Sequence, residues 1–420
     1  MEKVLLKNIE NPDSADMKEY LKTGGYKNVS KAFKLQPKDI VEEIKKSGLR
    51  GRGGAGFPTA MKWSFATADP KYPKYLVCNA DEGEPGTFKD RPILEKTPHL
   101  LIEGMVISGY ALGAEYGYIY LRGEYPHAKD VLNDAIAQAY KENYLGDNIL
   151  GKNVRFHLAV YQGAGAYICG EETALIESLE GKKGQPRSKP PFPVNVGAWS
   201  MPTIVNNVET LSNVPYIINI GGEAYSKIGS KDCTGPKLYC VSGCVKKPGV
   251  YELPMGTSLR EIIYNHAGGI KDDKKLKAVF PGGISTPVLP ADNIDCPMDF
   301  VSMQKFGSML GSGAVIVMDE SVCMVKVAHR ALKFFEHESC GKCVPCREGT
   351  GWIRKILERI ENGMGRAGDV ELLSDVAGIM LGRTFCPLGD GAAGMLMSVI
   401  KHFRSELEEH IKSAKCTFSY

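Results

Sequence analysis

Apolar positions along the 420-residue chain change their period several times, and each change predicts an element. In Pro37-Lys-Asp-Ile-Val-Glu-Glu-Ile-Lys-Lys-Ser-Gly48, Ile40, Val41 and Ile44 fall at helical spacing before a Ser-Gly stop. A strand is predicted over Lys74–Asn79, a core helix from Pro98 to Gly113 and a strand over Tyr116–Arg122. A helix over Asp130–Glu142 and a strand over Val154–Tyr161 continue the alternation, which implies a parallel α/β sheet. From about Gly235 the texture shifts to short strands (Pro236–Gly243, Gly249–Pro254, Leu276–Gly283) around a helix over Ser258–Ala267, a small α+β domain. After a strand over Ala314–Met318, helices over 325–337, 352–362, 371–380 and 392–411 suggest a bundle. The expected boundaries are a lead-in over 1–48, an α/β domain over 49–234, the small domain over 235–320 and the bundle over 321–420.

Composition narrows the field. At 43% hydrophobic and a net charge of +3 (52 basic, 49 acidic residues), the chain is ordinary globular protein with no pull towards nucleic acid. The opening Met-Glu-Lys-Val-Leu-Leu-Lys-Asn has no apolar secretory core, which argues against an oxidising compartment for the 12 cysteines. No apolar run is long enough to span a bilayer, so any service to a membrane is from outside the lipid.

Candidate chemistry begins at Leu49-Arg-Gly-Arg-Gly-Gly-Ala-Gly-Phe-Pro-Thr59, whose glycines at 51, 53, 54 and 56 are flanked by Arg50 and Arg52. A helix rather than a strand precedes them, so this is not a standard dinucleotide fingerprint but a loop suited to close backbone approach to an anion. Lys62, Trp63 and Phe65 follow, a cation among aromatic faces. The first strand runs into Asp81, Glu82 and Glu84 at its carboxyl end, where open α/β sheets place ligands and where carboxylates can accept from polyol hydroxyls. The third strand ends in Gln162-Gly-Ala-Gly-Ala-Tyr-Ile-Cys-Gly-Glu-Glu172, a glycine turn opening a helix. A Pro-rich loop presents Lys189 and Phe192, and Asn206-Asn207 offers two adjacent amides.

The strongest pattern is Glu338-Ser-Cys-Gly-Lys-Cys-Val-Pro-Cys-Arg-Glu-Gly-Thr350, with Cys386 later in Thr-Phe-Cys-Pro-Leu-Gly. Cys340, Cys343 and Cys346 at x2 spacing suit three corners of a 4Fe–4S cubane, and a remote Cys-Pro suits the fourth. Zinc, which usually takes two separate C-x2-C pairs, fits less well. The other eight cysteines (78, 169, 233, 240, 244, 296, 323, 416) read as ordinary free thiols.

Together, in this order, these stretches resemble the NADH-binding flavoprotein subunit of respiratory complex I (the 51 kDa type), with relatives in soluble NAD-linked hydrogenases and formate dehydrogenases. The resemblance implies a Rossmann-like FMN-binding α/β domain, a β-grasp-like domain and a helical bundle holding one 4Fe–4S cluster. It implies that FMN is held by the loop of Gly51, Gly53, Gly54 and Gly56, by Lys62, and by Asn79, Asp81 and Glu82 after the first strand. Tyr167, Gly170 and Glu171 would add to this, with Asn206, Asn207 and Thr210. NADH would stack on the flavin, its adenine among Phe57, Phe65 and Phe192, with Glu84, Glu172 and Lys189 on its sugars or phosphates. Cys340, Cys343, Cys346 and Cys386 would be the cluster ligands, Arg347 and Lys342 biasing the potential. Hydride transfer to FMN followed by single-electron transfer then needs no catalytic side chain. The implied partners are a thioredoxin-like 2Fe–2S subunit and a larger iron–sulfur subunit leading towards quinone, with the protein cytoplasmic at the inner face of a membrane. A diaphorase subunit of a soluble hydrogenase, formate dehydrogenase or electron-bifurcating complex is the alternative.

Overall fold

The computed structural model describes residues 2–66 and 73–418. These divide into two compact units. One runs to Gly83, resumes over Phe88–Tyr239 and takes in Val250–Gly256, while the other comprises Glu84–Thr87, Cys240–Gly249 and the chain from Thr257 onwards.

The first unit is built on four parallel strands, β1 (Tyr75–Ala80), β2 (Tyr116–Leu121), β3 (His157–Gln162) and β4 (Thr203–Asn207), in the order β3-β2-β1-β4. The sequence order reverses between β1 and β4, so the carboxyl ends of those two strands flank a topological switch point, where such sheets bind ligands. Helices α1 (Pro37–Ser47), α2 (Pro98–Leu112), α3 (Pro126–Lys141), α4 (Glu172–Leu179) and α5 (Val208–Ile220) surround the sheet. Proline opens α1, α2 and α3, where its missing N–H costs nothing. Gly48 and Gly113 end α1 and α2 in the left-handed conformation that glycine tolerates best.

α2 is the core helix that its apolar run predicts, with Leu101, Ile102, Met105, Val106 and Ile107 fully buried. It lies so close to α5 that a Cβ on Gly104 would fall 2.1 Å from the Leu211 carbonyl oxygen. His99, in the first turn of α2, is fully buried with Nδ1 3.0 Å from the Tyr26 hydroxyl. Burial holds its pKa down to about 4.

In the second unit, β8 (Ala314–Asp319) lies between β6 (Leu276–Phe280), antiparallel to it, and the Cys240–Gly243 end of β5 (Pro236–Gly243), parallel to it. A short β7 (Leu289–Pro290) pairs with β6. The helix expected over Ser258–Ala267 is one α-turn, Leu259–Glu261, followed by a π-helical turn, Ile262–His266. Four helices complete the unit: α6 (Met324–Glu338), α7 (Val344–Glu361), α8 (Asp369–Met380) and α9 (Pro387–Ser413). α7 and α9 begin eight and five residues before the sequence expectation, directly after Cys343 and Cys386, each with proline in its first turn.

Gly104→Ala should destabilise the first unit by about 3 kcal/mol, because the methyl group meets backbone rather than a movable side chain. A urea midpoint equal to that of the parent chain would contradict this close approach. His99 gives a pH dependence of definite sign. Its folded pKa lies below the unfolded value, so its contribution is complete above the ordinary histidine value of 6.5 and is lost as pH falls towards about 4. The loss is of the order of 3 kcal/mol. Denaturation midpoints between pH 7 and pH 4.5 should therefore fall less in His99→Gln than in the parent, and parallel curves would count against it.

Candidate functional site

The glycine loop is pinned at both ends. Gly51 N–H donates to the Phe57 carbonyl at 2.8 Å, and Thr59 N–H donates to that of Leu49 at 2.9 Å. Gly54 (φ 133°) and Gly56 (φ 64°) take positive-φ conformations that bulkier residues resist. The Thr210 hydroxyl, fully buried in the first turn of α5, accepts the Arg52 N–H at 2.8 Å and fixes the loop to that helix. Gly53 lies close enough to Asn207 that a Cβ there would sit 3.3 Å from the Asn207 Cβ.

The two arginines beside the glycines bond to the chain's own carbonyls. Arg52 is fully buried, its guanidinium donating to the carbonyls of Thr234 at 2.7 Å and Pro236 at 3.2 Å. Arg50 Nε donates to the Gly56 carbonyl at 2.7 Å. Both shape the loop from within. Trp63 is also internal, its indole N–H donating to the Asn206 side-chain oxygen at 2.9 Å.

At the carboxyl end of β1, Asn79 Nδ2 donates to the Gly170 carbonyl at 2.8 Å, joining the β1 exit to the turn that opens α4. Gly170 is so placed that a Cβ would sit 3.6 Å from the Asp81 carbonyl oxygen, and one on Gly83 would sit 3.0 Å from the Tyr167 ring. Asp81, Tyr167 and Gly170 therefore lie close together at the exit of β1. Glu82 faces inward. Its carboxylate accepts the N–H groups of Lys89 and Asp90 at 2.8 Å and of Arg91 at 3.2 Å, capping the helix Asp90–Lys96. Burial, then the nearby Asp90, lifts its pKa to about 7. Asn207 is likewise engaged, its side-chain oxygen capping α5 through Glu209 N–H at 3.0 Å and its amide donating to Asp90 at 2.6 Å.

A run of alternating charges lies at the start of α4. Lys62 donates to Glu172 at 2.6 Å and to the Val205 carbonyl at 2.8 Å, while Lys189 lies 2.7 Å from Glu171 and 3.3 Å from Glu172. Burial alone would raise the Glu172 pKa, but Lys62 and Lys189 outweigh it and the net shift is downward, so the carboxylate stays ionised. Phe57, Phe65 and Phe192 are about half exposed, an unusual state for large apolar rings. Glu84 belongs to the second unit, where its carboxylate accepts the Ser285 N–H at 2.8 Å.

Also in the second unit, Cys343 and Cys386 are the N-cap residues of α7 and α9, so two helix N-termini are directed at thiols. Cys346 is not on the connecting loop as expected but buried within the first turn of α7. The Phe385 N–H donates to Cys343 Sγ at 3.4 Å, and the Ser339 hydroxyl lies 3.3 Å from Cys346 Sγ. Burial first, then the charges of Cys340, Cys346 and Cys343, push the Cys386 thiol up to about 12, so all four sulfurs sense one another. Tetrahedral zinc would draw thiolates to about 3.8 Å apart. Among the described residues, no three of these four thiols have ligand atoms all within 4.8 Å of one another. Arg347 donates to Glu348 and to the Gly341 carbonyl, and Lys342 lies 4.3 Å from the Phe385 ring centroid. Both cations stay beside the cysteine loop.

Sequence inspection missed the buried cluster behind the glycine loop. Glu209 pairs with Lys89 at 3.0 Å and with Lys237 at 2.8 Å, and all three are essentially inaccessible to water. Three charges scattered through surface-like sequence carry no signal of shared burial.

Comparison with known proteins agrees with this geometry. A family model described as the Nuo51 FMN-binding domain matches residues 44–216, an SLBB domain model matches 237–317, and the NADH-ubiquinone oxidoreductase-F iron-sulfur binding region matches 326–410. The chain is 55% identical over 418 residues to the second NADH-quinone oxidoreductase F-type chain of Rhizobium meliloti, covering 99% of each. It is 50% identical to the NADH-quinone oxidoreductase F-type chain of Aquifex aeolicus, covering 98% of this chain and 95% of that one. Among solved structures, a NAD+-reducing NiFe hydrogenase in the air-oxidized state superposes with a TM-score of 0.84 at 38% identity. That match covers 97% of this chain and 66% of the hydrogenase chain. With near-full-length identity of this order, joined to a glycine-lined switch point and four thiols close enough for their charges to act on one another, the chain belongs to the family of NADH-quinone oxidoreductase F-type subunits.

Proposed function

We propose that this chain is the electron-input subunit of a multi-subunit NADH-quinone oxidoreductase, oxidising NADH at a bound FMN and delivering single electrons to a 4Fe–4S cluster. The observation that carries the reading is the gathering of four cysteine thiols at two helix N-termini, in a chain that also has a glycine-lined switch-point crevice. When bound, FMN supplies the conversion of a two-electron hydride into single electrons, and the cluster supplies a one-electron outlet.

The residues of the chain bind and orient. Gly53, Gly54 and Gly56 would let the backbone approach the flavin phosphate, and Asp81 would accept from its polyol hydroxyls, while Glu171, the N-cap of α4, would hold the turn that opens that helix. Lys62 is held by Glu172 in the first turn of α4 and by the Val205 carbonyl in the middle of β4, so its ammonium stays between that helix and the strand. Glu82, Asn207 and Thr210 act one step back, holding the helix Asp90–Lys96, α5 and the glycine loop in place. Phe57, Phe65 and Phe192 give the adenine apolar faces, while Lys189 offers a cation to the pyrophosphate. No side chain need move a proton, because the hydride passes between two cofactors. The partners we assign are a thioredoxin-like 2Fe–2S subunit and a larger iron–sulfur subunit, with the assembly at the inner face of a membrane. The likeness to the NAD+-reducing hydrogenase supports a second reading, the same module in a soluble complex, but its 38% identity falls below the 55% of the quinone-reductase relative.

Anaerobic titration of the purified protein with NADH should bleach the flavin absorbance and bring up a reduced-cluster EPR signal. In Cys343→Ser the bleaching should persist while the cluster signal and the iron are lost. A colourless parent protein containing zinc and no iron would overturn the proposal. Glu84→Ala should raise the KM for NADH several-fold with FMN content unchanged, and loss of FMN would remove Glu84 from the nucleotide.

A further inference from the structure

A second group of metal-ligating side chains lies in the bundle, sharing no residue with the cluster cysteines. Cys323, Glu361, His410 and Cys416 each present one ligand atom, and these four atoms lie within 4.8 Å of one another. We propose that they form a tetrahedral structural zinc site.

The geometry is close to that of a bound ion. His410 Nε2 lies 3.3 Å from Cys323 Sγ and 3.8 Å from a Glu361 carboxylate oxygen. Zinc–ligand bonds of about 2.0–2.3 Å put neighbouring ligand atoms of a tetrahedron roughly 3.3–3.8 Å apart. The imidazole is already oriented for the task. His410 Nδ1 lies 2.7 Å from the Glu406 carbonyl oxygen, which can only accept, so the proton sits on Nδ1 and the Nε2 lone pair faces the group. The ring is fully buried, as a fixed ligand should be.

Cys323 caps α6, its sulfur accepting the Lys326 N–H at 3.4 Å, which fixes that ligand atom at the start of the helix. Cys323 is 4% exposed, and Glu361 and Cys416 are half-buried, so all four positions are too sheltered for a chance surface cluster. Two sulfurs, one imidazole nitrogen and one carboxylate oxygen form a closed, borderline-soft set that suits Zn2+ better than Mg2+ or Ca2+. Binding displaces two thiol protons and involves no change of oxidation state. The net ligand charge of −3, with two thiolates and a carboxylate, falls to −1.

The placement gives the ion a purpose. Cys323 starts α6, Glu361 ends α7, His410 lies in the last turn of α9 and Cys416 follows that helix. One ion would tie three helix ends and the segment after α9.

The test uses the full-length protein with its cluster assembled, offered ZnCl2 under reducing conditions, desalted, and analysed for zinc and iron by mass spectrometry and at the zinc K-edge. About one zinc per chain is expected, with scattering from two sulfur and two nitrogen or oxygen neighbours. Cys416→Ser, which lies outside the helices, should lower zinc at least five-fold with iron unchanged, and Cys343→Ser should do the reverse. Failure of the cluster assignment would thus appear in the iron and leave the zinc result intact. A folded parent chain that takes up no zinc would overturn the proposal. So would zinc undiminished in Cys416→Ser, or a Cys323–Cys416 disulfide in the protein as purified.

Discussion

Glu209 is the interaction on which the first unit depends. It is fully buried at the start of α5, between the ammonium groups of Lys89 and Lys237, and it also accepts the Leu238 N–H at 2.9 Å. Burial alone would raise its pKa, but Lys237 and Lys89 draw it down, so the carboxylate stays ionised. A buried pair of this kind adds little net stability, yet removing one partner leaves an uncompensated charge at a cost of about 3–5 kcal/mol. Its value is positional. Lys89 leads into the helix that Glu82 caps, Lys237 begins the strand after the Thr234 carbonyl that Arg52 grips, and Glu209 adjoins Thr210, which holds the glycine loop. The crevice at the switch point is therefore shaped by a polar layer that no ligand needs to touch.

The cysteine site rests on a different balance. Two helix N-termini directed at Cys343 and Cys386 favour negative charge, whereas burial and mutual repulsion drive the Cys386 thiol up to about 12. Left to itself the protein disfavours the thiolate at Cys346 and at Cys386, and the positive charge of iron would offset that cost. Lys342 and Arg347, both held beside the loop, add to the same side of the balance.

Much of this was legible in the sequence because periodicity and spacing are local. α2, the alternating strands and the x2 cysteine spacing all declare themselves within a few residues. What the sequence could not reveal is direction. Glu82 and Asp81 are neighbours in an acidic run, yet one caps a helix from inside and the other remains at the crevice. Arg52 sits among the glycines of the loop, yet its guanidinium turns inward to satisfy two buried carbonyls. Cys323 and Cys416 read as ordinary free thiols because 93 residues separate them, and only the fold brings them to His410 and Glu361.

The bundle places the two groups at opposite ends of the same helices. α7 and α9 both start at cluster cysteines, and both end near the Cys323–Glu361–His410–Cys416 group, with α6 running the opposite way between the same two places. α7 has 18 residues, so the two groups stand roughly one such helix length, ~27 Å, apart. α9 is interrupted at Phe403, whose φ of −132° and ψ of 27° leave helical geometry. A helix broken there transmits position poorly along its length. Anchoring at Cys386 therefore fixes α9 only as far as the break, and the segment beyond Phe403 needs contacts of its own. Glu406, between the break and His410, already engages the Met324 N–H at 2.9 Å and Lys277 at 2.5 Å, so the far end of α9 is anchored by charge as well as by the proposed ion.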